Sequence, residues 1–395
     1  MTAYRTIRYR LYPKTYEKHQ KLHGTAGACR YVWNYFVAKL RDDYLYYGEC
    51  NYRYFSMSKN FTTIRKYCAK WLQNYSANIV KSSLQPLETC YREFFKKQRE
   101  LPKFHARNST TPSFPIDKQT AKITGSHLYI QKIGWMKFEG SNPYPNGEFV
   151  SGRVKYECGN WYAYITYKVE LTRRPQSARE VGIDRNVGQI ALSDGQIIHL
   201  PDLERKARNR KKYQKRMARQ VKGSNRRKIT RRRVQRAFMR ERSARANWAH
   251  QVSRRIANNY HIAYIEGLNT SGMTKSAKGT VENPGKRVKQ KTGLNRSILN
   301  SGWGKLEQCL SYKMIVEKVD PKYTSQTCSR CGAVDKASRK TQSEFKCTAC
   351  GHEENADVNA ALNILAAGNT VTGHGGVGVA PPVKCQKDSL ACLPS

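Results

Sequence analysis

Two cysteine pairs constrain this chain more than any other feature. Cys328-x2-Cys331 and Cys347-x2-Cys350 are separated by fifteen residues. Each pair fits one tight knuckle supplying two thiolates, and two knuckles complete a tetrahedron around a metal ion. The spacing predicts a structural Zn2+ ribbon over 328–350. Two symmetric knuckles argue against an iron–sulfur or redox centre, and four protein ligands leave no open position for catalysis. Seven residues after the last cysteine, Asp357 opens the apolar run "DVNAALNIL". A metal clip directly before such a helix can set the position of its carboxylate.

The amino-terminal part changes texture twice. Residues 4–12, "YRTIRYRLY", alternate as a strand does, and Pro13 ends the run. Residues 16–100 carry apolar side chains at helical spacing, with Trp33, Phe36, Val37 and Leu40 on one face and Ile79, Leu87, Cys90, Tyr91 and Phe94 on another. Tyr35, Trp71 and Tyr75 read as core aromatics. From about Leu101, short alternating runs broken by Gly, Asn and Pro predict antiparallel strands. With residues 4–12 they would close a small β-barrel, the helical block being an insertion between its first and second strands. Residues 172–180, "TRRPQSARE", read as a linker.

The second half has a different order. Residues 181–200, "VGIDRNVGQIALSDGQIIHL", predict a three-stranded meander with a hairpin at Asp194-Gly195. A helical pair over 203–258 is broken at Gly223-Ser224-Asn225. Then come the buried strand "IAYIE", a polar and flexible stretch at 270–297, a helix in "SGWGKLEQCLSYKM" and the strand "IVEKVDP". Asp184 ends the first meander strand, Glu266 ends "IAYIE", and Asp357 opens the last helix. This is the element order of an RNase H-like nuclease core, in which two parallel neighbouring strands and the final helix bring their acids to one spot. Three hard carboxylates gathered there suit Mg2+ or Mn2+ and metal-assisted hydrolysis of a phosphodiester.

Charge names the class of partner. Lys and Arg number 72 against 29 Asp and Glu, a net charge of +43. That excludes an ordinary small-molecule enzyme and points to nucleic acid. Residues 205–245 hold twenty Lys and Arg and one acid, Glu241, which is nearly half of the net charge. Ion pairing along the helices cannot neutralise so one-signed a run. Arg205, Arg210, Lys211, Lys212, Lys215, Arg226, Arg227, Arg231 and Arg232 are therefore candidate phosphate contacts. The start lacks an apolar signal core, and no run of about eighteen apolar residues occurs. A cytoplasmic protein with no membrane partner is expected, with Cys29, Cys50, Cys68, Cys90, Cys158, Cys309, Cys385 and Cys392 reduced.

The stretches "RYRLYP", "ACRYVWN", "GIDRN", "IEGLN", "KYTSQTCSRCG" and "CTACGHEENADVNAALNIL" together resemble TnpB, the transposon-encoded RNA-guided nucleases from which type V CRISPR effectors derive. The resemblance spans residues 4–367. It implies a multidomain α/β and α+β chain. A wedge β-barrel would comprise 1–15 and 101–177, and a helical recognition lobe 16–100. A RuvC nuclease domain would comprise 178–327 and 351–367, with the zinc ribbon 328–350 inserted, and 368–395 would be a disordered tail. It implies Asp184, Glu266 and Asp357 as catalytic acids holding Mg2+ or Mn2+, a guide RNA from the transposon end, and a double-stranded DNA target beside a short motif read by the protein. It also implies a monomer with its RNA in a prokaryotic cytoplasm, nucleoid-associated when bound to DNA. Lys81 and Gln85, four apart on one helix, are candidate readers of the flanking motif, since Gln suits adenine edges. Related chains have a longer turn before the "VDP" strand. Here Met314 runs straight into Ile315, so either the helix ends near Gln308 or the strand is displaced. The expected function is RNA-guided cleavage of double-stranded DNA. The alternatives are an RNA-guided repressor without cleavage and a DNA-joining transposase.

Overall fold

The computed structural model describes residues 2–107, 111–170, 179–341 and 343–372. The chain divides into two compact units, Met1–Arg173 and Arg174–Ser395. In the first, strand β1 (Thr2–Tyr12) ends at Pro13 and leads into a long helix, α1 (Tyr16–Tyr47). The Thr15 side chain accepts from Lys18 N at the start of α1, and Gly48, at φ +74, ends it. Helices α2 (Tyr54–Thr63), α3 (Ala77–Ser82) and α4 (Gln85–Phe95) follow. Six strands then complete the unit: β2 (Ser113–Asp117), β3 (Ala121–Thr124), β4 (His127–Ile130), β5 (Gly134–Phe138), β6 (Glu148–Glu157) and β7 (Asn160–Glu170).

These strands and β1 form one antiparallel sheet in the order β2-β6-β7-β1-β5-β4-β3. Its two edge strands, β2 and β3, are consecutive in the chain and joined by a tight turn at Asp117, whose Oδ1 accepts from Gln119 N and Thr120 N at 3.0 Å. The sheet therefore curls back on itself as a near-barrel. Its inward side chains, Phe114, Val154, Trp161 and Ile165, share one continuous core with Val32, Phe36, Leu72, Ile79 and Leu87 of the helical block.

Two expectations for this unit change. Lys81 and Gln85 do not share a helix, because α3 ends at Ser82 and α4 begins at Gln85. Pro86 is the cause: it has no N–H to give to the carbonyl of Ser82, and it suits the first turn of a new helix. The break is fixed by Ser83 Oγ, which donates to Val80 O at 2.6 Å. Tyr35 and Trp71, read as core, are exposed, and Trp71 packs edge-on against Tyr31 and Tyr75 instead.

In the second unit, β8 (Glu180–Arg185), β9 (Gln189–Leu192) and β10 (Ile197–His199) form the meander. Helices α5 (Glu204–Ala218) and α6 (Asn225–Asn259) follow, with the Ser224 hydroxyl capping α6. Then come β11 (Ile262–Glu266), the short α7 (Thr270–Met273), α8 (Val288–Ser301), α9 (Trp303–Ser311) and β12 (Ile315–Val319). The ribbon hairpin β13 (Glu344–Lys346) and β14 (Glu353–Asn355) precedes the last helix, α10 (Ala356–Thr372). The five-stranded sheet runs β10-β9-β8-β11-β12; β8, β11 and β12 are mutually parallel neighbours and the meander pairs are antiparallel.

The stretch expected to be flexible at 270–297 holds α7 at its start and the first ten residues of α8 at its end. Asn295 Nδ2 bonds Thr274 O and Lys275 O, and Lys291 Nζ bonds Met273 O, so α8 is tied back onto α7. The short connection after α9 resolves without displacing the strand. The helix ends at Ser311, residues 312–314 turn, and β12 pairs with β11 in register over its whole length. Bonds from Lys313 N and Met314 N to Leu310 O make the turn. The expected tail begins inside α10, which continues past Gly368 to Thr372; the remainder lies outside the described residues. So does the expected linker, apart from Arg179 and Glu180, the latter already the first residue of β8.

One contact fixes how α10 lies on the sheet. A Cβ on Gly182 would stand 2.0 Å from Ala361 O and 2.7 Å from Leu365 N, so helix backbone lies directly on strand backbone. Gly368 makes the matching approach from the helix side, over the Tyr264 ring. Gly182→Ala is expected to force α10 off the sheet and cost about 2–3 kcal/mol, in the range of core overpacking. Thermal denaturation would register this as a lower melting temperature, and an unchanged value would refute the account.

Candidate active site

Strand alternation decides which acids meet. Val181, Ile183 and Arg185 face one side of β8, Gly182 and Asp184 the other. Val181 and Ile183 pack with Val252 and Ile256 of α6 and Leu306 and Leu310 of α9. Gly182 lies under α10, so Asp184, two residues on, also faces α10. Two strand residues advance about 6.7 Å. Four helix residues, from Ala361 back to Asp357, advance about 6 Å. An α10 antiparallel to β8 thus carries Asp357 to Asp184. In the parallel ladder Tyr264 pairs with Gly182 and Ile265 with Ile183, which sets Glu266 beside Asp184 on the same face.

The electrostatics agree with this crowding. Burial pushes the Asp184 carboxyl up to about 7, and the charges of Glu266 and Asp357 add to the shift. A 2.6 Å bond from Asn186 Nδ2 and the charge of Arg339 act against it. Asp357 Oδ2 accepts from Gln189 Nε2 at 2.7 Å. Its Oδ1 is buried without a hydrogen bond and lies 3.6 Å from Arg339 of the ribbon. Glu266 Oε1 accepts from Thr324 Oγ1 at 2.7 Å.

The three carboxylates are neighbours but do not converge on one point. Among the described residues, the ribbon cysteines form the one group of three or more candidate ligands close enough to share an ion. The acids still suit hard divalent cations: all are oxygen donors, Asp357 Oδ1 lacks a hydrogen bond, and Asp184 would exchange its proton for a metal.

The four ribbon sulfurs lie within 4.8 Å of one another, with Cys328–Cys350 at 3.7 Å and Cys331–Cys347 at 3.6 Å. A tetrahedron with Zn–S bonds of about 2.3 Å has sulfurs about 3.8 Å apart. The donor set therefore fits structural zinc. The two knuckles repeat one backbone pattern. Gly332 N bonds Cys328 O and Gly351 N bonds Cys347 O; Cys328 N bonds Ala333 O and Cys347 N bonds His352 O. Both glycines have φ near +70, at +74 and +70.

The ribbon is bolted to α10. Asn359 Oδ1 accepts from Ser329 N at 2.9 Å, and its Nδ2 donates to Thr327 O at 2.8 Å. Asn363 Nδ2 donates to Thr324 O and Thr327 O. Asn355 caps the helix, accepting from Asp357 N and Val358 N.

The basic run divides by geometry. Arg205, Lys211, Lys212, Lys215, Arg226, Arg231 and Arg232 are exposed on α5 and α6. Two of the nine candidates instead hold the helix pair together. Arg210 bonds the buried Glu241 at 2.8 Å and stacks on Phe238, and Arg227 donates to Met217 O and Gln220 O at the end of α5. The sequence reading missed Glu241 as the internal counter-ion of Arg210, and it missed Gln189, Asn186, Thr324 and Arg339 around the acids. Thr324 lies in the "KYTSQ" stretch, but nothing in the spacing separates Arg339 from the other ribbon cations. In the first unit Gln85 lines an open cleft with Tyr54, Asn78, Ser82, Asp117 and Gln119, whereas Lys81 is not among its lining residues.

The comparisons agree with one another. Residues 303–364 match a family profile described as "Cas12f1-like, TNB domain", 164–277 one described as "Probable transposase", and 1–48 one described as "Helix-turn-helix domain". Over the last of these the chain here forms a strand and one long helix. The "Putative RNA-guided DNA endonuclease InsQ" of Escherichia coli (strain K12) is 34% identical over 365 residues, covering 89% of each chain. A "Putative RNA-guided DNA endonuclease" of Streptomyces pristinaespiralis is 28% identical, covering 92% of this chain and 89% of the relative. The fold is similar to that of the protein in a cryo-EM structure of a Cas12f1-sgRNA-target DNA complex. The TM-score is 0.53 at 16% identity, with 89% of this chain and 83% of that one covered. Among the described residues, no helix is long and apolar enough to cross a membrane.

Two outcomes are expected. Cys347→Ser should lose zinc, melt at lower temperature and lose activity together; a stable, zinc-free and fully active variant would defeat the role given to the ribbon. Asp184 binds its proton more tightly in the folded chain than in the unfolded one, where its value is near 3.8. Without metal, this group should therefore make the protein less stable as pH rises from about 4 to about 7. Asp184→Asn should flatten that slope in melting-temperature scans.

Proposed function

Since the chain belongs to the TnpB family, we propose that it is an RNA-guided DNA endonuclease with Asp184, Glu266 and Asp357 as its catalytic acids. The observation that carries this is their placement on one face of the sheet, at the ends of two parallel strands and under the first turn of α10. The sheet order β10-β9-β8-β11-β12 supports an RNase H-like, RuvC-type core with the ribbon inserted before its last helix. The near-barrel sheet is the proposed wedge, and α1–α4 the proposed recognition lobe.

The acids' oxygens would hold Mg2+ or Mn2+. Bound there, such ions activate water and stabilise the leaving oxygen of a phosphodiester. The chain's own residues do the rest. Gln189 orients Asp357, Thr324 orients Glu266, and Asn186 orients Asp184. Arg339, 3.6 Å from Asp357, would supply a cation to a phosphate bound beside that acid. The exposed cations of α5 and α6 would grip phosphates of guide and target, while base pairing reads sequence. Gln85, in its polar cleft, and Lys81 are the proposed readers of the flanking motif. A repressor or a DNA-joining enzyme is not favoured: all three acids are retained, and the relatives reported above carry endonuclease names.

The test uses protein co-expressed with its transposon end, its bound RNA sequenced, and a plasmid library carrying the matched target beside random flanks. Cleavage should require Mg2+ and the matched guide, enrich one flank, and be lost in Asp184→Ala. Bound RNA with target binding but no cleavage would replace the nuclease by a repressor, and absence of any RNA would remove the guided function.

A further inference from the structure

Arg185 follows Asp184 in β8, yet its side chain is buried on the opposite face, only 3% exposed. Its Nη1 lies 2.8 Å from Glu307 Oε2 of α9, and its Nη2 donates to the main-chain carbonyl of Glu266. The other oxygen of Glu307 is 2.7 Å from Lys318 Nζ of β12. Burial pushes the Glu307 carboxyl up, but the bonds from Lys318 and Arg185 outweigh it and hold it below its usual range.

The place of this contact matters. The ladder between β8 and β11 ends at the pair Ile183–Ile265. Beyond it Gly267 N bonds Val319 O on the far side, and Leu268 N turns back to Glu266 O. Glu266 itself lies one residue past that last pair. There the guanidinium joins the residue next to one acid to the backbone of the other through a rigid planar group. Asn186, the next residue, is fixed to α9 as well, since Trp303 Nε1 donates to its carbonyl at 3.1 Å.

Two alternatives for Arg185 fit less well. A cation that served to neutralise the acids would lie on their face, as Arg339 does. A residue serving stability alone would be a poor choice here, because buried ion pairs are commonly matched by apolar packing. Moreover, Arg185 Nε is buried without a hydrogen-bond partner.

We infer that Arg185, held by Glu307, is a positioning residue that fixes Glu266 relative to Asp184 and thereby sets the affinity of the site for divalent cations. This rests on the proposed assignment of those acids as metal ligands. Loss of a group that orients metal ligands typically lowers metal affinity or activity about 10- to 100-fold.

The test compares Arg185→Ala, Arg185→Lys and Glu307→Gln with wild type and Asp184→Ala, each as the full chain with its guide RNA. Melting temperature and zinc content report folding. Calorimetric Mn2+ titration reports binding, and the Mg2+ concentration for half-maximal cleavage reports function. Folded, zinc-replete variants should bind Mn2+ about 10- to 100-fold more weakly and recover cleavage at high Mg2+, with Arg185→Lys the mildest. Folded variants with wild-type Mn2+ affinity and Mg2+ midpoint would overturn the inference. Failure of all three to fold would overturn it too, by making the group purely structural. Wild-type behaviour of Asp184→Ala would instead remove the metal-site assignment itself.

Discussion

The second unit depends on a contact that contains no side chain on one partner, the seat of α10 on β8 at Gly182. Helix backbone meets strand backbone there, and any Cβ would part them. That seat sets the height, direction and register of the helix together. Since strand and helix then advance by nearly equal distances, Asp357 arrives above Asp184 without any bond between them. The zinc ribbon answers for the other end of the helix. Its entry segment, Thr324–Ser329, is held by Asn359 and Asn363, and Asn355 caps the first turn. A metal clip lies next to a buried carboxylate because the clip closes the loop that delivers that carboxylate.

Bringing three acids together in a chain of net charge +43 is an electrostatic problem with a local solution. The acids are dried and crowded, which raises Asp184, and a counter-charge on their face, Arg339, is supplied by the ribbon. Such a site favours added cations because the acids repel each other before they are bound. The opposite arrangement holds in α5 and α6. There one buried acid, Glu241, gathers Arg210 and Arg245, Arg227 bonds carbonyls near the end of α5, and the remaining cations of 205–245 are exposed. Internal pairing consumes only what is needed to join the two helices, and the surplus charge is left for a polyanion.

The first unit shows how one proline redistributes a surface. Pro86 divides a segment whose periodicity reads as continuous, so Lys81 and Gln85 belong to different helices and point to different surroundings. The apolar side chains on both sides of the break still enter one core with the curled sheet. Helical block and sheet are thus separable by composition but not by packing.

Much of this was legible in the amino-acid sequence because the signals were local or had fixed spacing. The cysteine knuckles, the meander, the helix break at Gly223 and the three acids at element ends could be read from residue type and position alone. So could the one-signed charge of 205–245. The parts that escaped depend on three-dimensional neighbours. Gln189, Thr324 and Arg339 meet the acids from segments 58 to 168 residues away or from within the ribbon. Arg210 and Arg227 look like any other cation until the helices pair. The bonds from Lys291 and Asn295 of α8 to the carbonyls of Met273, Thr274 and Lys275 are announced by no periodicity. Residue chemistry by itself determined which groups are present and on which elements. Only the tertiary structure decided which of them touch, because hydrogen bonds and buried charges depend on distances that sequence separation does not encode.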